Sequence, residues 1–127
     1  MKIHESAENY LETIYILSQE SPPVRAVDIA AKLNFSKPSV SVAMKNLQAN
    51  NLIAIDSSGH ISLTDSGHTI AVDMYERHVI LSNWLTSLGV DKETAAYDAC
   101  KMEHAMSKQS FTAIKQHILD GERESRT

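Results

Sequence analysis

The sequence predicts a mainly α-helical protein with one short β-hairpin near its middle. Apolar residues recur at helical spacing through most of the chain, which is the pattern of amphipathic helices packed on a core. Two short runs of alternating residues, 53–55 and 61–63, flank the polar segment 56–60 and predict the hairpin. Helix, helix, tight turn, helix and hairpin is the order of a winged helix-turn-helix. We therefore expect an N-terminal winged helix-turn-helix followed by a helical domain.

The first three helices have readable ends. A helix over residues 5–20 is ended by Ser-Pro-Pro at 21–23, because proline disfavours helix in the residue before it. A short second helix over 25–33 leads into a tight connection. Ser36 is expected to cap the third helix, and Pro38 is tolerated in its first turn.

The second half of the chain predicts three more helices. Thr64 can cap a long fourth helix, which Gly89 terminates. A fifth helix is expected over 91–106, and Ser107 caps a sixth. We expect a winged helix-turn-helix domain over 1–65, a helical domain over 66–120 and a flexible polar tail over 121–127.

Bulk composition narrows the class of protein. No apolar run approaches the roughly 20 residues needed to cross a bilayer, and the start lacks the apolar stretch of a signal peptide. The single cysteine, Cys100, cannot form an intramolecular disulfide, and a free thiol fits a reducing compartment. A soluble cytoplasmic protein without a membrane partner is expected.

Charge along the chain indicates a nucleic-acid contact. The whole chain has a net charge of −4, yet residues 22–51 hold four basic residues against one acidic residue. In a winged helix-turn-helix the third helix enters the major groove. The expected DNA-binding residues are Arg25, Ser36, Lys37, Pro38, Ser39, Ser41 and Lys45. None of the residues expected to face outward on that helix is an arginine or a glutamine that could make bidentate base contacts, so sequence discrimination should be modest. A domain that contacts only protein is the alternative.

Cys100-Lys101-Met102-Glu103-His104 is the strongest chemical signal. In a helix, Cys100, Glu103 and His104 are at i, i+3 and i+4 and share one face. Thiol, carboxylate and imidazole together suit a divalent transition metal better than a packed core. Further candidates are Glu8, Asn9 and Glu12 on the first helix and His78 on the fourth. A lone His on an apolar stripe is usually a core residue, and a lone helical Glu is usually solvated; the combination favours a metal site.

The order of elements resembles the diphtheria-toxin repressor and manganese-transport regulator family of metal-activated repressors. The segments that carry the resemblance are residues 6–15 (SAENYLETIY), 36–41 (SKPSVS), 77–78 (RH) and 98–107 (DACKMEHAMS). It covers roughly residues 5–119. Many members of the family have a further C-terminal barrel-like (SH3-like) domain. Few residues follow the resemblance in this sequence, so we expect a short form without that domain.

The resemblance implies a set of metal ligands, with Asn9 as a departure from the pattern. The implied ligands are Glu12, His78, Cys100, Glu103 and His104. The position of Asn9 is a carboxylate in manganese-type members and a methionine in the iron-type toxin repressor, although an amide oxygen could still bind a hard cation. Cys100 matches iron-type members, whereas Glu12 with His78 follows the manganese-type pattern. Ser82 and Ala96 stand where the ancillary ligands of iron-type members would be expected, so the site resembles a hybrid.

The function implied is a transcriptional repressor activated by Fe2+ or Mn2+, with Zn2+ or Co2+ possible in vitro, that controls metal-homeostasis genes. The family implies a homodimer, built on the late helices, that binds a palindromic operator in double-stranded DNA. An ion bound by both halves of the chain would fix the angle between them. A MarR-like repressor that senses a small organic ligand is the alternative. A metal-dependent hydrolase is disfavoured, because Cys100 and His104 alone form a poor catalytic dyad; no enzyme activity is expected.

Overall fold

The computed structural model describes residues 5–125 and divides into two compact units, one ending at Met74 and the other beginning at Tyr75. The first four residues of the predicted DNA-binding domain and residues 126–127 of the predicted tail lie outside the described range. Six helices and one two-stranded antiparallel sheet are present within it, which confirms the mainly α-helical prediction. Among the described helices, none is long and apolar enough to cross a membrane.

The N-terminal unit has the predicted order of a winged helix-turn-helix. Its elements are α1 (Glu5–Glu20), α2 (Ala26–Leu33), α3 (Lys37–Ala49), β1 (Ile53–Ile55), β2 (Ile61–Leu63) and the first part of α4 (Asp65–Ser87). The strands pair with Ile53 opposite Leu63 and Ile55 opposite Ile61. The hairpin therefore forms the wing, directly after the helix predicted to enter the major groove.

Local capping bonds fix the helices of this unit. Ser36 Oγ accepts a hydrogen bond from the backbone N of Ser39 at 3.3 Å, which confirms the predicted cap of α3. Asn34 has a left-handed backbone with φ of 57°, which turns the chain between α2 and α3. The second helix begins at Ala26, one residue later than expected, because Arg25 is its N-cap.

A single apolar core orients α3. Leu11 and Ile14 of α1, Ile29 of α2 and Val40 of α3 are all fully buried in it. Since Val40 lies on the inner face of α3, the residues on the opposite face, Ser41 among them, remain exposed. Burial of one face thus presents the other to a ligand.

The C-terminal unit is built from three helices, the rest of α4, α5 (Lys92–Ala105) and α6 (Lys108–Ser125). Its core contains Leu81, Ala99 and Phe111. Two expectations are wrong. The helical spacing of apolar residues from Ile70 to Leu88 predicts that Leu88 faces inward on the fourth helix, but Leu88 is 65% exposed beyond the end of α4. The sixth helix continues to Ser125, whereas the residues from 121 were expected to form a flexible tail.

Two helical glycines provide a matched test of this packing. A Cβ on Gly67 would lie 2.0 Å from the carbonyl oxygen of Leu52, whereas a Cβ on Gly121 would meet no atom within 4 Å. We expect Gly67→Ala to lower the free energy of unfolding by about 2 kcal/mol, because main chain must move. Gly121→Ala should raise it by about 1 kcal/mol, because alanine favours helix. Urea unfolding followed by circular dichroism measures both, and equal effects of the two substitutions would contradict the packing described.

Candidate metal centre

Helix α5 brings Cys100, Glu103 and His104 together on one face, as their spacing predicts. One possible ligand atom from each residue, a sulfur, a carboxylate oxygen and an imidazole nitrogen, lies within 4.8 Å of the others. Cys100 is a free thiol of intermediate exposure. A single helical turn therefore supplies three different ligand types at separations that one cation can bridge.

Glu103 is the centre of this cluster. Its side chain is 0% exposed, its Oε1 is 3.3 Å from Nε2 of His104, and its Oε2 is 3.2 Å from Nδ1 of His78. His78 reaches the site from α4, and its side chain is 28% exposed, whereas that of His104 is 2% exposed. The carboxylate thus lies between two imidazoles, one from its own helix and one from the neighbouring helix.

Arg77 holds the end of α5 that carries these ligands. Its Nη1 donates to the backbone carbonyl of Glu103 at 3.0 Å and to that of Met106 at 2.8 Å. The guanidinium also lies over the ring of Phe111, 5.2 Å from the ring centroid. The last carbonyls of a helix have no partner within it, and a cation at that end opposes the helix dipole. Arg77 therefore fixes the backbone of Glu103 and His104.

Sequence reasoning assigned no role to Arg77. The available signal was an arginine inside the apolar face of a long helix, directly before a candidate metal ligand. Arginine is seldom buried unless its donors find acceptors, and Arg77 is 5% exposed. Such a residue indicates a structural hydrogen-bond site even before its partners are known.

The donor set fits a divalent transition metal. A buried carboxylate is unfavourable unless positive charge or hydrogen-bond donors surround it. Imidazole nitrogen and carboxylate oxygen accept manganese, iron, cobalt or zinc, and a thiolate favours the last three. The cluster of Cys100, Glu103, His104 and His78 can therefore bind such an ion through nitrogen, oxygen and sulfur.

Three further metal-ligand candidates, Glu8, Asn9 and Glu12, lie on α1 in the N-terminal unit, and the family resemblance concerns the last two. Glu12 is 5% exposed, and Asn9, one turn earlier, is half-buried. The backbone carbonyl of Asn9 accepts a hydrogen bond from Thr13 Oγ1 at 2.8 Å, which leaves the side-chain amide uncommitted by that bond. Asn9 and Glu12 therefore supply oxygen on one face of α1.

The DNA-binding candidates all lie on the surface of the N-terminal unit. Exposed residues are Arg25, Ser36, Lys37, Pro38, Ser39, Ser41 and Lys45. Val42, which sequence reasoning did not single out, is 61% exposed on α3. An apolar side chain on the outer face of such a helix can contact thymine methyl groups. Serine hydroxyls, lysines and one apolar side chain thus share the exposed side of α3.

Two family profiles match successive parts of the chain. The profile of the N-terminal DNA binding domain of the iron dependent repressor matches residues 2–61. The profile of its metal binding and dimerisation domain matches residues 64–124.

Individual proteins and structures agree with these profiles. The chain is 37% identical over 111 residues to the transcriptional regulator MntR of Escherichia coli, covering 87% of this chain and 72% of MntR. It is 32% identical over 106 residues to the iron-dependent repressor IdeR of Mycobacterium tuberculosis, covering 82% of this chain and 46% of IdeR. The crystal structure of the metal-dependent transcriptional regulator MtsR has a TM-score of 0.80 and 26% identity, covering 90% of this chain and 53% of MtsR.

These likenesses give no support to a MarR-like repressor of organic ligands. Both halves of the chain match domains of one family, the DNA binding domain first and the metal binding and dimerisation domain second. The family is one of transcriptional regulators. The chain belongs to the iron dependent repressor family of metal-dependent, DNA-binding transcriptional regulators.

Proposed function

We propose that this protein is a cytoplasmic repressor that binds a palindromic operator as a homodimer when Fe2+ or Mn2+ is bound, and so controls genes of metal-ion homeostasis. The observation that carries the proposal is the buried carboxylate of Glu103 between His78 and His104, with the thiol of Cys100 in reach. This cluster lies in a chain whose other unit is a winged helix-turn-helix. Nothing in the proposal requires catalysis.

The proposed ligands are Glu12, His78, Cys100, Glu103 and His104, with Asn9 as a weak oxygen ligand. Cys100, Glu103 and His104 on α5 are supported by their mutual distances, and His78 on α4 is supported by its distance to Glu103. Glu12 and Asn9 are supported by their ligand type and by the family resemblance. We also retain the proposed domains, 1–65 for DNA binding and 66–120 for dimerisation and metal binding; residues 121–125, which were expected to form part of a tail, continue α6 instead.

The acidic ligand residues would bind a cation that offsets their own negative charge. Glu103 is buried and Glu12 nearly so, and both are acidic side chains in a protein that must approach phosphates. A bound divalent cation would supply the positive charge that offsets them. A form of the protein that binds the ion more tightly would be the form that binds DNA more tightly. Metal and DNA would then increase each other's affinity by the same factor.

Selectivity should follow from the mixed ligands. Cys100 favours iron, cobalt or zinc over manganese, while the carboxylates and imidazoles accept all four. We propose Fe2+ as the preferred ion with Mn2+ close behind, and expect Zn2+ and Co2+ to bind in vitro.

The proposed DNA surface is the exposed side of α3 together with Arg25. Lysines and serine hydroxyls there can contact phosphates, and the N-terminus of α3 adds partial positive charge. The proposed residues are Arg25, Ser36, Lys37, Pro38, Ser39, Ser41 and Lys45, all of them exposed.

Removing the central carboxylate tests the metal switch. Glu103→Gln keeps the side-chain volume but loses the charge that binds the cation. We expect wild-type protein to bind an operator, selected from random DNA with Fe2+ present, in Fe2+ or Mn2+ and to release it in chelator. Glu103→Gln should lose about 10- to 100-fold in metal affinity and most of the metal response.

Glu93→Gln is the matched control, because Glu93 is an exposed carboxylate in the first turn of the same helix. It should bind metal and DNA like the wild type. Operator binding by anisotropy and metal binding by calorimetry, both without oxygen, give the two readouts. Wild-type DNA binding that is equal with metal and with chelator would reject the switch; a full metal response in Glu103→Gln would reject the site.

Replacing the thiol tests selectivity. Cys100→Glu substitutes a hard oxygen for a soft sulfur, so the ratio of Mn2+ to Zn2+ affinity should rise by on the order of tenfold, or about 1.4 kcal/mol. Competition calorimetry measures that ratio. Cys100→Ser, which removes sulfur but adds no charge, should weaken Zn2+ binding without strengthening Mn2+ binding. An unchanged ratio in both variants would exclude Cys100 as a ligand.

A further inference from the structure

A backbone hydrogen bond joins the base of the wing to the residues just before α2. Ile61 of β2 donates its backbone N–H to the carbonyl of Val24 at 2.7 Å, and the two residues form an isolated antiparallel bridge. Residue numbers run in opposite directions across an antiparallel pair, so the next opposed pair is Arg25 and His60. Two residues 35 positions apart in the sequence are thereby set side by side.

Their side chains continue the connection. Arg25 Nη2 lies 3.0 Å from Nε2 of His60, and Nδ1 of His60 lies 3.3 Å from Oδ2 of Asp56. A guanidinium can only donate, so Nε2 accepts and the ring proton is on Nδ1, facing the carboxylate. The imidazole is therefore oriented from both sides, by an acceptor on one nitrogen and a donor on the other.

Asp56 and Arg25, the residues on either side of His60, both form hydrogen bonds that involve the main chain. Asp56 Oδ1 accepts from the backbone N–H groups of Ser58 at 2.8 Å and His60 at 2.9 Å. The bond from the His60 backbone holds the pKa of the Asp56 carboxyl below its usual range, so it is ionised at neutral pH. Arg25 in turn donates its backbone N–H to Asp28 Oδ2 at 2.9 Å. The guanidinium of Arg25 is thus exposed on a fixed backbone.

The wing itself has no cation of its own. Residues 53–63 contain no lysine or arginine, and Asp56 gives the segment an acidic residue. A wing that flanks the DNA backbone needs positive charge to hold a phosphate. Arg25, which lies against the wing through His60, is the cation that this surface offers.

We propose that His60, oriented by Asp56, is a positioning residue that aims the guanidinium of Arg25 at a DNA phosphate beside the wing. This inference rests on the proposed DNA-binding function. A phosphate contact carries no sequence information. Arg25, His60 and Asp56 therefore contribute to affinity and to the position of the protein along the DNA, while α3 contacts the bases. His60 acts through Arg25 and does not itself contact the DNA.

A coupled set of variants tests this role in the metal-bound, full-length protein on the selected operator. Arg25→Ala should lower DNA affinity about tenfold for each of the two subunits of the dimer, the decrease expected for one charged hydrogen bond per subunit. His60→Ala should lower it nearly as much, and the double variant should bind no more weakly than Arg25→Ala alone. His60→Gln should restore most of the affinity, because its amide oxygen can accept from Arg25.

The salt dependence separates positioning from a merely structural role. The slope of log affinity against log salt should fall by about 1.8 in Arg25→Ala, because each of the two subunits of the dimer then neutralises one DNA phosphate fewer. Adding His60→Ala should not lower the slope further. Ser57→Ala, in the same turn, is the matched control and should leave affinity and slope unchanged. The wing turn should survive in His60→Ala, because Asp56 bonds to backbone N–H groups there.

The experiment separates failure of the positioning role from failure of the proposed function. Additive decreases in the double variant, wild-type affinity in His60→Ala, or no rescue by glutamine would overturn the positioning role and leave the proposed function standing. If metal-loaded wild-type protein binds no DNA, the proposed function fails and the inference fails with it.

Discussion

A fully buried carboxylate is the constraint on which the C-terminal unit depends. Glu103 has no exposed surface, and a buried negative charge is tolerated only where donors and positive charge surround it. The small residues Ala95 and Ala99 on the same helix are fully buried, which lets α5 pack closely enough to enclose the site. Close packing and the burial of the acid therefore come from the same helix face. Whatever changes the charge at that face also changes the stability of the unit.

Arg77 and the proposed metal ion would bring positive charge to this region in different ways. Arg77 is permanently charged and bonds to main-chain carbonyls of Glu103 and Met106, so its contribution is independent of metal supply. Proposed metal ligands, by contrast, are the side chains of Glu103 and His104. Since the arginine holds the backbone and leaves the side chains to the exchangeable ion, the ligand geometry can be preformed before metal binds. A preformed site should order few residues on binding, which favours affinity.

The features of the fold that depend on neighbouring residues could be predicted from the sequence, whereas contacts between residues far apart in the sequence could not. The cap at Ser36 and the i, i+3, i+4 face of α5 depend on residues within one turn, so the sequence alone predicts them. The bond from Arg77 to Glu103 spans 26 residues and that from Arg25 to His60 spans 35, and no local pattern identifies the partner in either pair. The extent of α6 was underestimated because polar residues were read as a tail, although glutamate and arginine favour helix.

The scarcity of cations on the DNA-binding unit bears on how a metal could control the protein. The chain carries a net charge of −4, and its wing has no lysine or arginine, so phosphate contacts at each half-site are few. DNA affinity with so few contacts should be moderate, and its dependence on salt should be shallow, because the slope scales with the number of phosphates neutralised. Coupling free energies between two sites are typically about 1–3 kcal/mol, which is too little to switch a very tight complex. On the proposed function, weak phosphate binding is therefore what allows a single buried metal site to decide whether the operator is occupied.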